Sequence, residues 1–272
     1  MLPPYIQFET NTICTNGCHF CPHNKMIKRA PASDELIDKV ITELVPTARE
    51  VCPFLMQEPL MEPRLREILQ KIKQYNWKAT TSIYTTLNAV LNAEDRYKAL
   101  FDIIQDHTLD HIYLSIYERG QTFNKEESER KLRELILYRD ANCFKTPTFT
   151  WQYINDLQPH RRNETTELCD AIRVVPFDTF HGDIQIEVRT KGPNRVRTEC
   201  GRLWSTFNVH SNGTVVPCCI DYNEIAEVGN ILYERAEKIW NGSRLNMIRK
   251  MHIAERWNEI ELCKNCNVWE WM

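Results

Sequence analysis

Three cysteines, Cys14, Cys18 and Cys21, stand four and then three residues apart in the stretch CTNGCHFC, with no fourth cysteine near enough to complete a set. A structural zinc site wants four closed ligands, commonly brought in as two pairs. Three thiolates from one tight loop suit a [4Fe–4S] cube better. The loop holds three irons and leaves the fourth for a chelator from outside the protein. A zinc loop is the alternative.

A second group lies in the last quarter. Cys200 is followed after twelve residues by Gly213, after four more by Cys218, and much later by Cys263 and Cys266. Four thiolates can enclose a cube with no iron left open, whose job would be to carry an electron. The same four could hold zinc in a structural ribbon. Cys219 is a spare beside Cys218, a buried neighbour or a hydrogen-atom donor. Cys52, Cys143 and Cys169 are scattered singly and read as small buried hydrophobes. An odd total of eleven cysteines and no export signal favour metal over a disulfide framework, and with them the cytoplasm.

The elements that must position these groups follow a regular alternation. Segments 5–11, 51–56, 80–86, 110–117, 146–154 and 171–177 are short and rich in β-branched and aromatic residues, and predict strands. Between them, 33–45 (N-capped by Ser33), a stretch opened by Pro63, 91–104, 127–138 and 164–170 predict helices. Six such units imply a parallel sheet with right-handed crossovers, two short of a closed eightfold barrel. The expected fold is α/β: a partial, open-sided (β/α)6 barrel over residues 1–190, then a small α+β domain over 191–272. In that last part, 206–219 predicts a hairpin turning on Ser211-Asn212-Gly213-Thr214, and 238–252 a helix. CTNGCHFC directly follows the first strand, where a catalytic loop of such a barrel belongs.

On these residues the chain resembles the radical S-adenosylmethionine (radical SAM) enzymes. The resemblance assigns Cys14, Cys18 and Cys21 to the cluster that chelates SAM, and Phe20 to the usual aromatic before the third ligand. It implies that cleavage of SAM yields a 5′-deoxyadenosyl radical that abstracts a substrate hydrogen. QEPL (57–60) sits where the family often has G-G-E-P, so Glu58 would hold the SAM ammonium, although Met56 and Gln57 replace the glycines. SIYTTLN (82–88) resembles a further family segment and offers Thr85 and Asn88; Ser115 sits where a ribose contact is expected. For Thr85, Asn88 and Ser115, plain strand-end hydrogen bonding is an equal alternative. The late cysteines resemble the shortened SPASM domain called twitch, with Cys200, Cys218, Cys263 and Cys266 around an auxiliary [4Fe–4S] cluster.

Within the family the chain is most similar to dehydrogenases that oxidise a secondary alcohol of an aminocyclitol or sugar-like natural-product intermediate to a ketone. That likeness implies Tyr84 and Arg189 as substrate contacts, and an external donor such as flavodoxin or ferredoxin. A guanidinium at Arg189 could clamp a polyol through paired hydrogen bonds; a solvated surface charge is the alternative. Asp221, just past the cluster cysteines, is a candidate base. His19 and His23 are expected to shape the first loop rather than to bind metal.

The formal net charge of −3 gives no reason to expect nucleic acid, and no apolar run reaches membrane-span length. No G-x-G-x-x-G occurs among only eight glycines, which argues against a nicotinamide or flavin dinucleotide fold. Two rivals keep the cofactor: a peptide maturase forming thioether or carbon–carbon cross-links, and an epimerase. The first would often carry a leader-binding domain, for which a first strand at residue 5 leaves no room. A non-catalytic iron–sulfur carrier or zinc-binding module is the rival of another class.

Overall fold

In the computed structural model, residues 1–18, 21–86, 93–115, 125–154, 169–175 and 196–271 are described. All six expected barrel strands form: β1 (Tyr5–Phe8), β2 (Glu50–Cys52), β3 (Thr80–Thr85), β4 (His111–Ser115), β5 (Thr148–Ile154) and β6 (Ala171–Val175). Between them run α1 (Asp34–Leu44), α2 (Leu65–Tyr75), α3 (Glu94–Gln105) and α4 (Lys125–Ala141). Ser33 caps α1 as expected, its Oγ accepting the Leu36 amide at 3.1 Å. Pro63 does not open α2, which starts two residues later. Arg64 stands at its start, and the Glu62 carboxylate accepts the Arg64 amide at 3.1 Å. The segment 164–168 lies outside the described residues.

β1 to β6 are laid side by side in parallel, and the sheet does not close from β6 back to β1. That edge of β1 is occupied by β7 (Thr206–Val209), also parallel, with Ile6 opposite Phe207 and Phe8 opposite Val209. β8 (Thr214–Val216) and β9 (Gly229–Asn230) then add antiparallel, giving nine strands in the order β6-β5-β4-β3-β2-β1-β7-β8-β9. The region after residue 200 therefore extends the barrel sheet. Its core is shared too: Ile6 and Phe8 pack in one cluster with Val40 and Ile41 of α1, Phe207, Val215 and Trp240. The boundary expected at residue 190 falls outside the described residues.

α5 (Arg202–Ser205), α6 (Ala236–Trp240), α7 (Ser243–Ile253) and α8 (Glu261–Lys264) complete the late region. The single helix expected over 238–252 is broken. Asn241 ends α6, and Gly242, in extended backbone, precedes α7. A side chain at Gly242 would meet the carbonyls of Lys238 and Ile239 at 3.0 Å, which holds the break in place.

Strand alternation decides what the barrel offers. Ile83, Ile112, Leu114, Phe149 and Trp151 point to the helices and are buried with Leu69, Leu100 and Leu135. Their neighbours on the other face are polar or aromatic: Ser82 and Tyr84, His111, Tyr113 and Ser115, Thr150 and Gln152. The inner face is built for a polar guest.

Candidate active site with two thiol clusters

The first loop leaves β1 at its C-terminal end and is fixed from both sides. Glu9 donates its amide to the Val209 carbonyl at 2.8 Å, and Ala32 donates to Thr10 O at 2.8 Å. Inside the loop, Asn11 Oδ1 accepts the Ile13 amide at 2.8 Å, and Thr12 Oγ1 donates to Arg29 O at 3.1 Å. His23 Nε2 lies 2.9 Å from Thr12 O, so the ring donates there and ties the two arms of the loop together. His23 thus shapes the loop, as expected; His19 and Phe20 lie outside the described residues.

Cys14, Cys18 and Cys21 are all half-buried. Burial pushes the Cys14 thiol up to about 11, against a lowering contact with the Asn16 amide, and Glu58 and Cys21 push it further. Burial pushes Cys18 up to about 12, with Cys21 and Cys14 adding to it. The three thiols share one loop, although among the described residues no three such side chains converge closely enough for a single ion. They fit a positively charged iron centre, which would take them as thiolates and release their protons.

Glu58 belongs to the same place. Its amide donates to Ile13 O at 3.0 Å. Its carboxylate accepts Asn16 Nδ2 at 3.2 Å, the Leu60 amide at 3.2 Å and the Thr86 amide at 3.4 Å. Burial raises its pKa, and the hydrogen bonds, that of Thr85 first, oppose the rise. A carboxylate 3% exposed, next to the thiol loop and among neutral donors, is one whose charge a bound cation could match. Thr85 thus serves Glu58, and Ser115 Oγ accepts Gln152 Nε2 at 3.3 Å on the inner face. Asn88 lies outside the described residues.

Gln57, standing where a glycine would be usual, explains its own presence. Its Oε1 accepts the Leu55 amide at 3.0 Å and its Nε2 donates to Thr10 Oγ1 at 2.9 Å. The side chain closes the β2 loop onto the end of β1.

Tyr84 lies on the inner face, stacked on Tyr113 with ring centroids 4.4 Å apart, and Phe54 tilts against it at 5.4 Å. Arg189 lies outside the described residues. Asp221 departs from the role expected of it. It is fully buried, and its two oxygens accept the amides of Ile225 and Ala226 at 2.9 Å each. A carboxylate engaged this way clamps its own loop and is not presented as a base.

Cys200, Cys218, Cys263 and Cys266 line one apolar-walled cavity of about 40 Å³. Among the described residues no three Cys, His, Asp or Glu side chains converge closely enough for a single ion. Four thiols around one cavity fit the thiolate donor set of an iron–sulfur centre. The hairpin of β7 and β8 carries Cys218, and its turn requires Gly213. That residue has φ +83°, and a Cβ there would meet Asn230 Oδ1 at 2.7 Å and Leu232 Cγ at 2.9 Å.

Three side chains that spacing alone did not single out surround these thiols. Arg197 donates to Cys263 O at 2.7 Å and lies over the rings of Trp257 and Trp269. Arg202 Nη1 sits 3.5 Å from Cys219 Sγ and 3.8 Å from Cys218 Sγ. His252 is buried between Cys200 and Cys263. Arg202, two residues after Cys200, could have been noticed; His252 leaves no trace in the spacing. Of the scattered cysteines Cys52 is buried, but Cys143 is exposed, at φ +56° just past α4, because the turn ending that helix leaves it outside the core.

Comparison with known proteins agrees with this geometry. Residues 200–267 match the SPASM family, described as an iron-sulfur cluster-binding domain. The S-adenosyl-L-methionine-dependent 2-deoxy-scyllo-inosamine dehydrogenase of Niallia circulans is 36% identical over 274 residues, covering 96% of this chain and 92% of that protein. The crystal structure of BtrN in complex with AdoMet and 2-DOIA has the same fold (TM-score 0.69, 18% identity, 98% of this chain and 94% of that one). So does native anSMEcpe with bound AdoMet and Cp18Cys peptide (TM-score 0.61, 14% identity, 97% and 89%). No described helix is long and apolar enough to cross a membrane. The partial barrel, the thiol loop at the end of β1 and the SPASM region together place the chain in the family of radical SAM dehydrogenases, oxidoreductases related to 2-deoxy-scyllo-inosamine dehydrogenase.

Proposed function

We propose that the chain oxidises a secondary alcohol of an aminocyclitol or closely similar polyol to a ketone, with 2-deoxy-scyllo-inosamine as the first substrate to try. The observation that carries this reading is the second, four-thiol cavity, joined to the barrel through the pairing of β7 with β1. Turning a carbinol into a carbonyl removes a hydrogen atom, a proton and one more electron, so the site needs a one-electron acceptor besides its radical source. When bound, SAM and its [4Fe–4S] cluster supply the hydrogen-abstracting 5′-deoxyadenosyl radical, and a second [4Fe–4S] cluster supplies the acceptor.

The chain's own residues hold and orient these parts. Cys14, Cys18 and Cys21 would hold the first cluster. Glu58 receives the SAM ammonium, kept in place by Asn16 and Thr85. Ser115 and Asn88 are assigned to the ribose side and Phe20 to the cluster loop. Tyr84 faces the substrate from the inner wall, and Arg189 is assigned to bind the polyol through paired hydrogen bonds. Cys200, Cys218, Cys263 and Cys266 hold the acceptor. A flavodoxin- or ferredoxin-like protein delivers the starting electron.

The test joins metal content to product. Anaerobically reconstituted protein should hold about eight irons, falling to about four when Cys14, Cys18 and Cys21 are all changed to Ala. With SAM, reductant and 2-deoxy-scyllo-inosamine, ketone and 5′-deoxyadenosine should appear in equal amounts. Zinc in place of the second set of irons, or 5′-deoxyadenosine without ketone, would remove the acceptor and with it the dehydrogenase reading.

A further inference from the structure

His252 lies on α7 and is 2% exposed. The Cys200 amide nitrogen is 3.3 Å from its Nδ1. A backbone amide can only donate, so Nδ1 carries the lone pair and the ring proton sits on Nε2. That nitrogen is 3.4 Å from Cys263 Sγ. One imidazole therefore spans two of the four cavity thiol residues, which lie at opposite ends of the late region. Arg249, one turn earlier on α7, ties that helix down by donating to Leu203 O at 3.0 Å and Trp240 O at 2.8 Å.

We propose that His252 is a positioning residue that sets the reduction potential of the auxiliary centre, by accepting from the Cys200 amide and donating Nε2–H to the Cys263 sulfur. A hydrogen bond to a ligating sulfur draws off negative charge, favours the reduced cluster and so raises the potential. An acceptor of a substrate electron needs that bias. Arg202, near Cys218 and Cys219, and Arg197, beside Cys263, push in the same direction from other sides of the cavity. The inference rests on the proposed function in one respect, that these four thiols hold an iron–sulfur cluster.

The experiment uses the full-length, reconstituted chain with Cys14, Cys18 and Cys21 changed to Ala, so that a single cluster reports. Its midpoint potential is measured by EPR-monitored redox titration for His252, His252→Gln and His252→Leu. Leucine removes the donor, whereas glutamine keeps an N–H at comparable reach. Expected is a downward shift for His252→Leu equivalent to about tenfold in the one-electron equilibrium, ~59 mV, with most of it recovered in His252→Gln. Equal potentials in all three proteins, or equal shifts in both variants, overturn the assignment while leaving the cluster reading intact. A parent protein that keeps no iron overturns both. Should the leucine variant alone lose iron, pulsed EPR of the reduced parent protein labelled with 15N-histidine decides. A cluster-coupled histidine nitrogen supports the role, and its absence refutes it.

Discussion

Asn16 and Glu58 are joined by a hydrogen bond of 3.2 Å, and this contact links the thiol loop after β1 to the loop after β2. Among the described residues its donors are neutral, so a bound cation could match its charge. Changing Glu58 to Gln should weaken SAM binding by about 10- to 100-fold, the range of a hydrogen bond to a charged group. Iron content should stay unchanged. Titration of SAM into the reconstituted protein, followed through the EPR spectrum of the first cluster, separates the two effects.

Tyr84 offers a ring and a hydroxyl with separable roles. Tyr84→Phe keeps the stack on Tyr113 at 4.4 Å and removes only the hydroxyl. It should raise the substrate KM several-fold and leave SAM affinity alone. Tyr84→Ala should in addition cost about 1 kcal/mol of stability from the lost aromatic contacts. A phenylalanine variant with wild-type KM would show that the hydroxyl does not touch the substrate.

Gly213 joins a positive φ to a close approach, with Asn230 Oδ1 only 2.7 Å from where a Cβ would stand. Gly213→Ala should destabilise the protein by ~2–4 kcal/mol, from backbone strain and overpacking together. Because β8 leads directly to Cys218, iron in the second site should fall more than in the first. Thermal unfolding and iron counts on the same preparations test both statements.

Glu62 ties α2 to the first loop, accepting Asn11 Nδ2 at 3.1 Å and Arg64 Nε at 2.8 Å. Burial alone would raise its pKa, but the hydrogen bonds from Arg64, with that of Asn11, outweigh it and hold the carboxyl below the usual range. A pKa lower in the folded than in the unfolded protein stabilises fully above the unfolded value, about 4.3. That contribution is lost as the pH falls through the folded value. Glu62→Gln should therefore lower the melting temperature at pH 7, and the gap to wild type should close as the pH drops below about 4. A gap independent of pH would mean that shape, not charge, matters at this position.

Much of the architecture was legible because it is written locally. The β-branched and aromatic runs named all six barrel strands, since such side chains suit a buried pleated surface. Ser33 marked the start of α1 by supplying the oxygen that an amide at a helix start needs. The cysteine spacings also picked out the four late thiols that line one cavity.

What was missed depends on partners far away in sequence. Nothing in 206–209 announces that β7 pairs with β1, a strand some two hundred residues earlier. Asp221 looked available beside the cluster cysteines, and only the course of residues 225 and 226 shows its oxygens engaged. Gln57 looked like a departure from a glycine pattern until Thr10 and Leu55 showed what it binds. His252 has no motif, because its partners are a backbone amide and a sulfur contributed by two other segments.

The pairing of β1 with β7 also bears on the order of events during synthesis. β7, one of the two neighbours of β1, is made some two hundred residues after it. Contacts of such long sequence separation form slowly and leave an open strand edge in the meantime. Glu9, the residue that leads into the cysteine loop, finds the Val209 carbonyl and the Ser211 amide only once the hairpin exists. The platform for the N-terminal cysteines is thus completed by the C-terminal quarter. A nascent chain stopped before residue 206 would therefore display the thiols of Cys14, Cys18 and Cys21 on a loop that lacks its Val209 and Ser211 contacts.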